Sequence, residues 1–176
     1  VTRPRRSAFP LAAALAAFAT AAAAQTAPGG LEGRTVTFGG LLYEETEDDP
    51  TFLGDRHVAV VGPGVEYGLG PEGPQNGWDI VPAIVDISDS RVTITYPDIP
   101  GDTFPALEFN GYVLDFLTDC VLFSGARVDK SVSSGDFSDA DVFTKRARLY
   151  IDMSGHAYGP GIKYAIDLDV MDCPIG

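Results

Sequence analysis

Between Ile162 and Val170 the chain reads "IKYAIDLDV", with apolar side chains alternating against Lys163, Ala165, Asp167 and Asp169. Successive side chains of a strand point to opposite faces, whereas a helix repeats every 3.6 residues, so this spacing describes a half-buried strand. Ile162, Tyr164, Ile166, Leu168 and Val170 are expected to face a core. "RLYIDM" repeats the pattern with Leu149, Ile151 and Met153 inward, and "RVTITY" does so with Val92, Ile94 and Tyr96. Further strand candidates are "RTVTFGGLLY" from Arg34, "HVAVV" from His57, "AIVDIS" from Ala83, "GYVLDFL" from Gly111 and "VLFSGARVD" from Val121. Between them lie clusters such as "GPEGPQNG" and "PDIPGDTFP", whose glycines, prolines and aspartates favour turns. About eight or nine short strands at such intervals predict an all-β fold, an antiparallel β-sandwich or jelly roll. A parallel α/β sheet would need crossover helices, and few stretches carry helical spacing.

The 176 residues suffice for one domain with a hydrophobic core plus a processing segment. "TRPRR" at 2–6 is basic, and "SAFPLAAALAAFATAAAA" after it is small and apolar, ending in Ala22-Ala23-Ala24 before Gln25. That order describes a secretory signal peptide over 1–24, cut after Ala24. Arg5-Arg6 with Phe9 nearby loosely fits a twin-arginine signal, so the general secretory and twin-arginine routes both stay open. Val1 in place of Met suggests a GTG start and hence a bacterial gene. The expected organisation is a flexible N-terminal segment over 25–33 and a single sandwich domain over 34–176, secreted or periplasmic.

The whole chain carries a formal net charge of −13. Without Arg3, Arg5 and Arg6 the mature chain would hold nine basic against twenty-five acidic residues, a net −16. Nucleic acid is thereby disfavoured as a partner, because phosphate binding needs clustered Lys and Arg. Anionic membrane surfaces are disfavoured for the same reason, and no later segment has the apolar length of a membrane span. Cys120 and Cys173, the two cysteines, would meet an oxidising compartment in an exported chain and are expected to close a structural disulfide. Closing that loop would restrict the unfolded state by roughly 4 kcal/mol on a chain-entropy estimate.

"HVAVVGPGVEY" from His57 tests a phosphate-binding reading. A dinucleotide loop wants glycine at its first, third and sixth positions, with a helix starting inside the motif. Gly62 and Gly64 fit, but Tyr67 takes the sixth position, Pro63 removes a donor, and no Lys-Ser or Lys-Thr follows. The turn is expected to serve the backbone of a hairpin. His57 and His156 are the two histidines, and each is expected to be structural. Ser154 precedes Gly155-His156 without a Gly-x-Ser-x-Gly elbow. A glycosidase needs two carboxylates facing one cleft, and among so many acids no pair stands out. The chain is accordingly expected to be non-enzymatic, with no catalytic residue assigned.

Two features point to binding. "SSGDFSDADVF" places Asp136, Asp139 and Asp141 in one polar loop, and oxygen ligands at short spacing are what Ca²⁺ requires. The EF-hand pattern is absent, so a solvated acidic loop is the plainer expectation. Trp78 in "QNGWDI", the single tryptophan, offers a ring for stacking on a sugar, although a lone Trp of a β domain more often fills the core.

The succession "AVVGPGVEY", "ISDSRVTITY", "FNGYVLDFL", "SGARVD", "RLYIDMSG" and "IDLDV" resembles the β-rich passenger domains of bacterial exported proteins with a PEP-CTERM sorting tail. The resemblance spans roughly residues 58 to 170 and implies an association with exopolysaccharide and extracellular matrix. It brings no catalytic residues. "MDCPIG" holds no Pro-Glu-Pro motif, apolar helix or basic end, so a periplasmic or released product is expected instead of sorting by that system. The sequence thus points to a non-enzymatic component of the bacterial envelope or extracellular matrix, with extracellular polysaccharide or envelope proteins as partners. The alternative is a carbohydrate-binding module, calcium-assisted through Asp136 to Asp141 and using Trp78.

Overall fold

A computed structural model describes residues 30–70, 73–74, 81–116, 121–145 and 148–172. The described chain runs through β1 (Thr35–Tyr43), β2 (Thr51–Val60), β3 (Val65–Tyr67), β4 (Leu69–Gly70), β5 (Gly73–Pro74), β6 (Ile84–Ser88) and β7 (Arg91–Thr95). It continues through β8 (Asp102–Thr103), β9 (Phe109–Phe116), β10 (Val121–Val128), a 3₁₀ turn (Asp139–Asp141), β11 (Val142–Lys145), β12 (Arg148–Asp152), β13 (Ala157–Tyr158) and β14 (Lys163–Asp172). One five-stranded sheet has the order β11-β12-β9-β1-β2 and a second the order β10-β14-β7-β6-β3. Every pairing within them is antiparallel, as the absence of crossover helices predicts.

The period-two rows meet between the sheets. Val36, Phe38, Tyr112, Leu114, Leu149 and Ile151 from the first sheet share one core cluster with Val85, Ile87, Val92, Ile94, Tyr164, Ile166 and Leu168 from the second. Leu149, Ile151, Met153, Val92 and Ile94 are fully buried and Tyr96 nearly so, each on the face its alternation assigns. Burial of this kind contributes about 1.5–3 kcal/mol per large apolar side chain. Close approach of β12 to β9 depends on Gly111, where an added Cβ would stand 1.9 Å from the Ile151 carbonyl oxygen.

Two expectations need correction. The Gly-Pro-Gly turn does not close a hairpin. β2 belongs to the first sheet, while β3 pairs with β6 in the second, so residues 61–64 carry the chain from one sheet to the other. Gly64 takes φ +111°, a left-handed value that suits glycine. The Glu66 carboxylate braces this corner, accepting from Gly62 N at 3.0 Å and Ile87 N at 2.6 Å. Burial raises the Glu66 pKa, against the lowering effect of those two donors. The second correction concerns 25–33, read as flexible. Leu31 is fully buried in the core, and its N–H bonds Asp89 O at 2.9 Å, so residues 30–33 belong to the folded unit.

Candidate functional site

The first sheet also carries apolar residues on the face turned away from the core. Register decides this: Tyr43 lies opposite Phe109, Gly39 opposite Val113, Val113 opposite Tyr150, and Tyr150 opposite Phe143. Tyr150 and Phe143 are direct cross-strand neighbours whose rings stack 4.9 Å apart and 3° from parallel. Phe109 stacks on Tyr43 at 5.3 Å and meets Tyr150 edge-on at 5.9 Å and Phe143 at 6.1 Å. Leu41 and Val113 fill the floor between them. At the other edge of the sheet Phe52 pairs with Leu41, and the Arg56 guanidinium lies 5.3 Å from its ring centroid.

Beside these rings stands a charged group that ties three strands. Asp115 Oδ2 accepts from Arg148 Nε at 2.7 Å and from Arg56 Nη2 at 3.3 Å. For Arg148 burial works against the charge, but hydrogen bonding to Tyr150 and the Asp115 carboxylate outweigh it and raise the pKa. The Tyr43 phenol is pushed up by burial first and then by the carboxylates of Glu47, Asp152 and Glu108. Chemically the face combines flat rings, which accept the C–H side of a ligand ring, with planar guanidinium and carboxylate groups suited to paired hydrogen bonds.

The aspartates singled out from the sequence do separate jobs. Asp139 Oδ1 accepts from Val128 N at 2.7 Å, bracing the end of β10. Asp141 Oδ2 accepts from Ser138 N at 2.7 Å and from Ser138 Oγ at 3.0 Å, closing a capping box on the 3₁₀ turn. Asp136, almost fully exposed, and Asp141 flank His156, with Asp136 Oδ1 3.4 Å from Nδ1 and Asp141 Oδ1 3.4 Å from Nε2. Among the described residues no group of three or more His, Cys, Asp or Glu side chains is placed to hold a metal ion.

His156 therefore faces carboxylates, and Ser154 is engaged elsewhere: its Oγ donates to Leu107 O and accepts from Leu107 N, both at 2.7 Å. The two do not form a nucleophile and base pair. Asp152 is partly buried beside them, and Oδ1 accepts from Ser154 N at 2.9 Å and from Asn110 N at 3.2 Å. Burial raises its pKa, while those two donors lower it. His57 lends its carbonyl to the Tyr67 hydroxyl at 3.0 Å.

Trp78, Cys120 and Cys173 lie outside the described residues. The β10–β14 ladder ends at the pair Val121 and Asp172, the chain neighbours of the two cysteines. No protein-family model, curated protein or solved structure matches the chain. Sequence reasoning missed Tyr43, Phe52, Phe109, Phe143 and Tyr150 as a group. The available signal was in "GGLLY" and "RLYIDM", where an aromatic or apolar residue stands at positions that alternation turns outward.

Proposed function

We propose that the protein is an exported, non-enzymatic β-sandwich of the bacterial envelope or extracellular matrix that binds polysaccharide through the outer face of its first sheet. The observation that carries this reading is Phe143, stacked on Tyr150 and 38% exposed at the rim of the aromatic floor. A pyranose ring presents an apolar C–H face and a rim of hydroxyls, which matches an aromatic floor flanked by Arg148 and Asp115 beside Tyr150 and by Arg56 beside Phe52. Export rests on the signal-like segment 1–24, and the resemblance to PEP-CTERM passenger domains lends the association with exopolysaccharide.

Retention of the purified protein on a panel of immobilised polysaccharides tests the reading. Specific retention that falls by about tenfold or more in Phe143→Ala, the loss of one stacking contact of roughly 1.4 kcal/mol or more, supports it. No retention by any member of the panel rejects it. A second reading, engagement of an envelope protein along edge strand β2, is favoured by the outward row of Phe52, Val58 and Val60 at 47%, 51% and 63% exposure. Binding that survives Phe143→Ala but is lost in Val60→Lys would select that partner.

Pairing of Cys120 with Cys173 belongs to the same proposal, supported by the ladder that ends beside both. The oxidised protein is then expected to lack free thiols when unfolded without reductant. Two titratable thiols would exclude the bond.

A further inference from the structure

The aromatic floor is more covered than its strands alone require. Leu41, Phe109, Val113 and Tyr150 point away from the core, yet retain only 4%, 1%, 2% and 7% exposure. Open rings are found at the two edges, Phe143 on β11 and Phe52 on β2. The β1–β2 connection, residues 44–50, reaches toward this same face. Its Glu47 forms an ion pair with Lys145 on β11, and β11 lies three strands from β1 in the sheet order. The connection therefore crosses the outer face of β9 and β12, about 14 Å from strand to strand, toward Lys145, which register sets level with Asp115, six positions along β9 from the Phe109 that lies opposite Tyr43. The Glu47 carboxylate also lies close enough to the Tyr43 phenol to help hold its proton.

This connection has little else to hold it. Five of its first six residues, Glu44, Glu45, Glu47, Asp48 and Asp49, are acidic, and the whole stretch is exposed. Glu108 and Asp152 act with Glu47 on the same Tyr43 phenol, so like charge works against closure. Among the described residues the Glu47–Lys145 pair is its one side-chain tie to the far edge, and both partners are nearly half exposed.

We propose that residues 44–50 form a strap, latched by Glu47 and Lys145, that closes over the aromatic floor and swings away when a polysaccharide stacks on it. The proposal rests on the polysaccharide reading for its ligand, but its motion can be read without one. An exposed ion pair is weak and screened by salt, which suits a latch that ligand binding must open. A ligand that binds only the open form gains apparent affinity when the closed form is removed, in proportion to the open fraction.

The test uses the full protein and Lys145→Gln. Amide hydrogen exchange of residues 44–50 and the fluorescence of Nile red, an uncharged dye for apolar surface, report the strap. Polysaccharide affinity reports the site. The variant is expected to exchange faster, to bind more dye, and to bind polysaccharide up to about five-fold more tightly. The wild type should approach the variant in about 0.5 M salt. The double charge swap Glu47→Lys with Lys145→Glu is expected to restore wild-type exchange and dye binding. Exchange and dye binding unchanged in Lys145→Gln, at an unchanged melting temperature, would overturn the strap even if polysaccharide binds. Faster exchange and brighter dye with no polysaccharide bound by either protein would leave the strap standing and remove the ligand assigned to it.

Discussion

Two acidic segments, residues 129–141 and residues 44–50, look alike in composition and differ in how they are held. In the first, Asp129 accepts from Arg91 Nη2 at 2.8 Å and from the Ser131 hydroxyl at 2.6 Å. Phe137 is buried against Tyr164, Asp139 holds the end of β10, and Asp141 serves Ser138 and His156. Ser133 Oγ and Ser134 N add bonds to β14, at 3.0 Å to Ala165 N and 2.8 Å to Lys163 O. Among the described residues the second segment is tied by one ion pair, from Glu47 at its middle to Lys145. A count of carboxylates therefore says little about a loop. What matters is whether each carboxylate has a backbone donor within reach, because such bonds lose the competition with water only when the donor is exposed.

This contrast can be broken by substitution, and the largest effect belongs to the bolted segment. Asp141→Ala removes the acceptor for Ser138 N and one partner of His156, and is expected to lower unfolding stability by about 1–3 kcal/mol in urea titration. A cost indistinguishable from that of a strap residue would erase the distinction.

Asp152, between the two segments, sharpens the contrast through pH. In the unfolded chain its carboxyl ionises near 3.8, and burial raises that value in the fold. Between the two values the unfolded chain has released a proton that the folded chain still holds. Stability from this group is therefore full below 3.8 and falls as pH rises through the folded value. Asp152→Asn keeps the one oxygen that accepts from Ser154 N and Asn110 N. The variant should melt at the wild-type temperature near pH 3 and above it at pH 7. A lower melting temperature at pH 7 would show that the ionised carboxylate is needed.

Smaller still is the expected response to calcium. A Ca²⁺ ion gathered by Asp136, Asp139 and Asp141 would have to take Asp139 from Val128 N and Asp141 from Ser138 N. Millimolar Ca²⁺ is accordingly expected to move the melting temperature by less than about 1 °C, whereas a ligand of the native state would raise it progressively with concentration. Least of all should Glu47→Ala matter to global stability, within about 0.5 kcal/mol, since it touches one exposed pair.

The strands that alternate cleanly were legible because periodicity is a local signal. Leu149, Ile151 and Met153 in "RLYIDM" went inward as read, and so did Val92 and Ile94. The same reading passed over Tyr150, which occupies the outward position between Leu149 and Ile151 and is nevertheless buried to 7%. Its cover includes Phe143 on β11 and Phe109 on β9, rings brought to it by strand pairing that no local pattern encodes. The Gly62-Pro63-Gly64 corner failed for a related reason: glycine and proline announce a turn, but the partner of β3 is chosen by pairing with β6. Asp136, Asp139 and Asp141 were found as a cluster, while their three different backbone and histidine partners depended on the fold around them.

The strand order has a kinetic consequence. β9 stands at the centre of the first sheet between β1 and β12, and in the second sheet β14 pairs with β7, more than sixty residues before it. Neither sheet can complete its middle until almost all of the chain is available, and topologies dominated by such distant pairings fold in milliseconds to seconds, far more slowly than helical bundles. A chain that stays open for that long leaves its unpaired strand edges exposed meanwhile, so the arrangement that makes the sandwich also delays it.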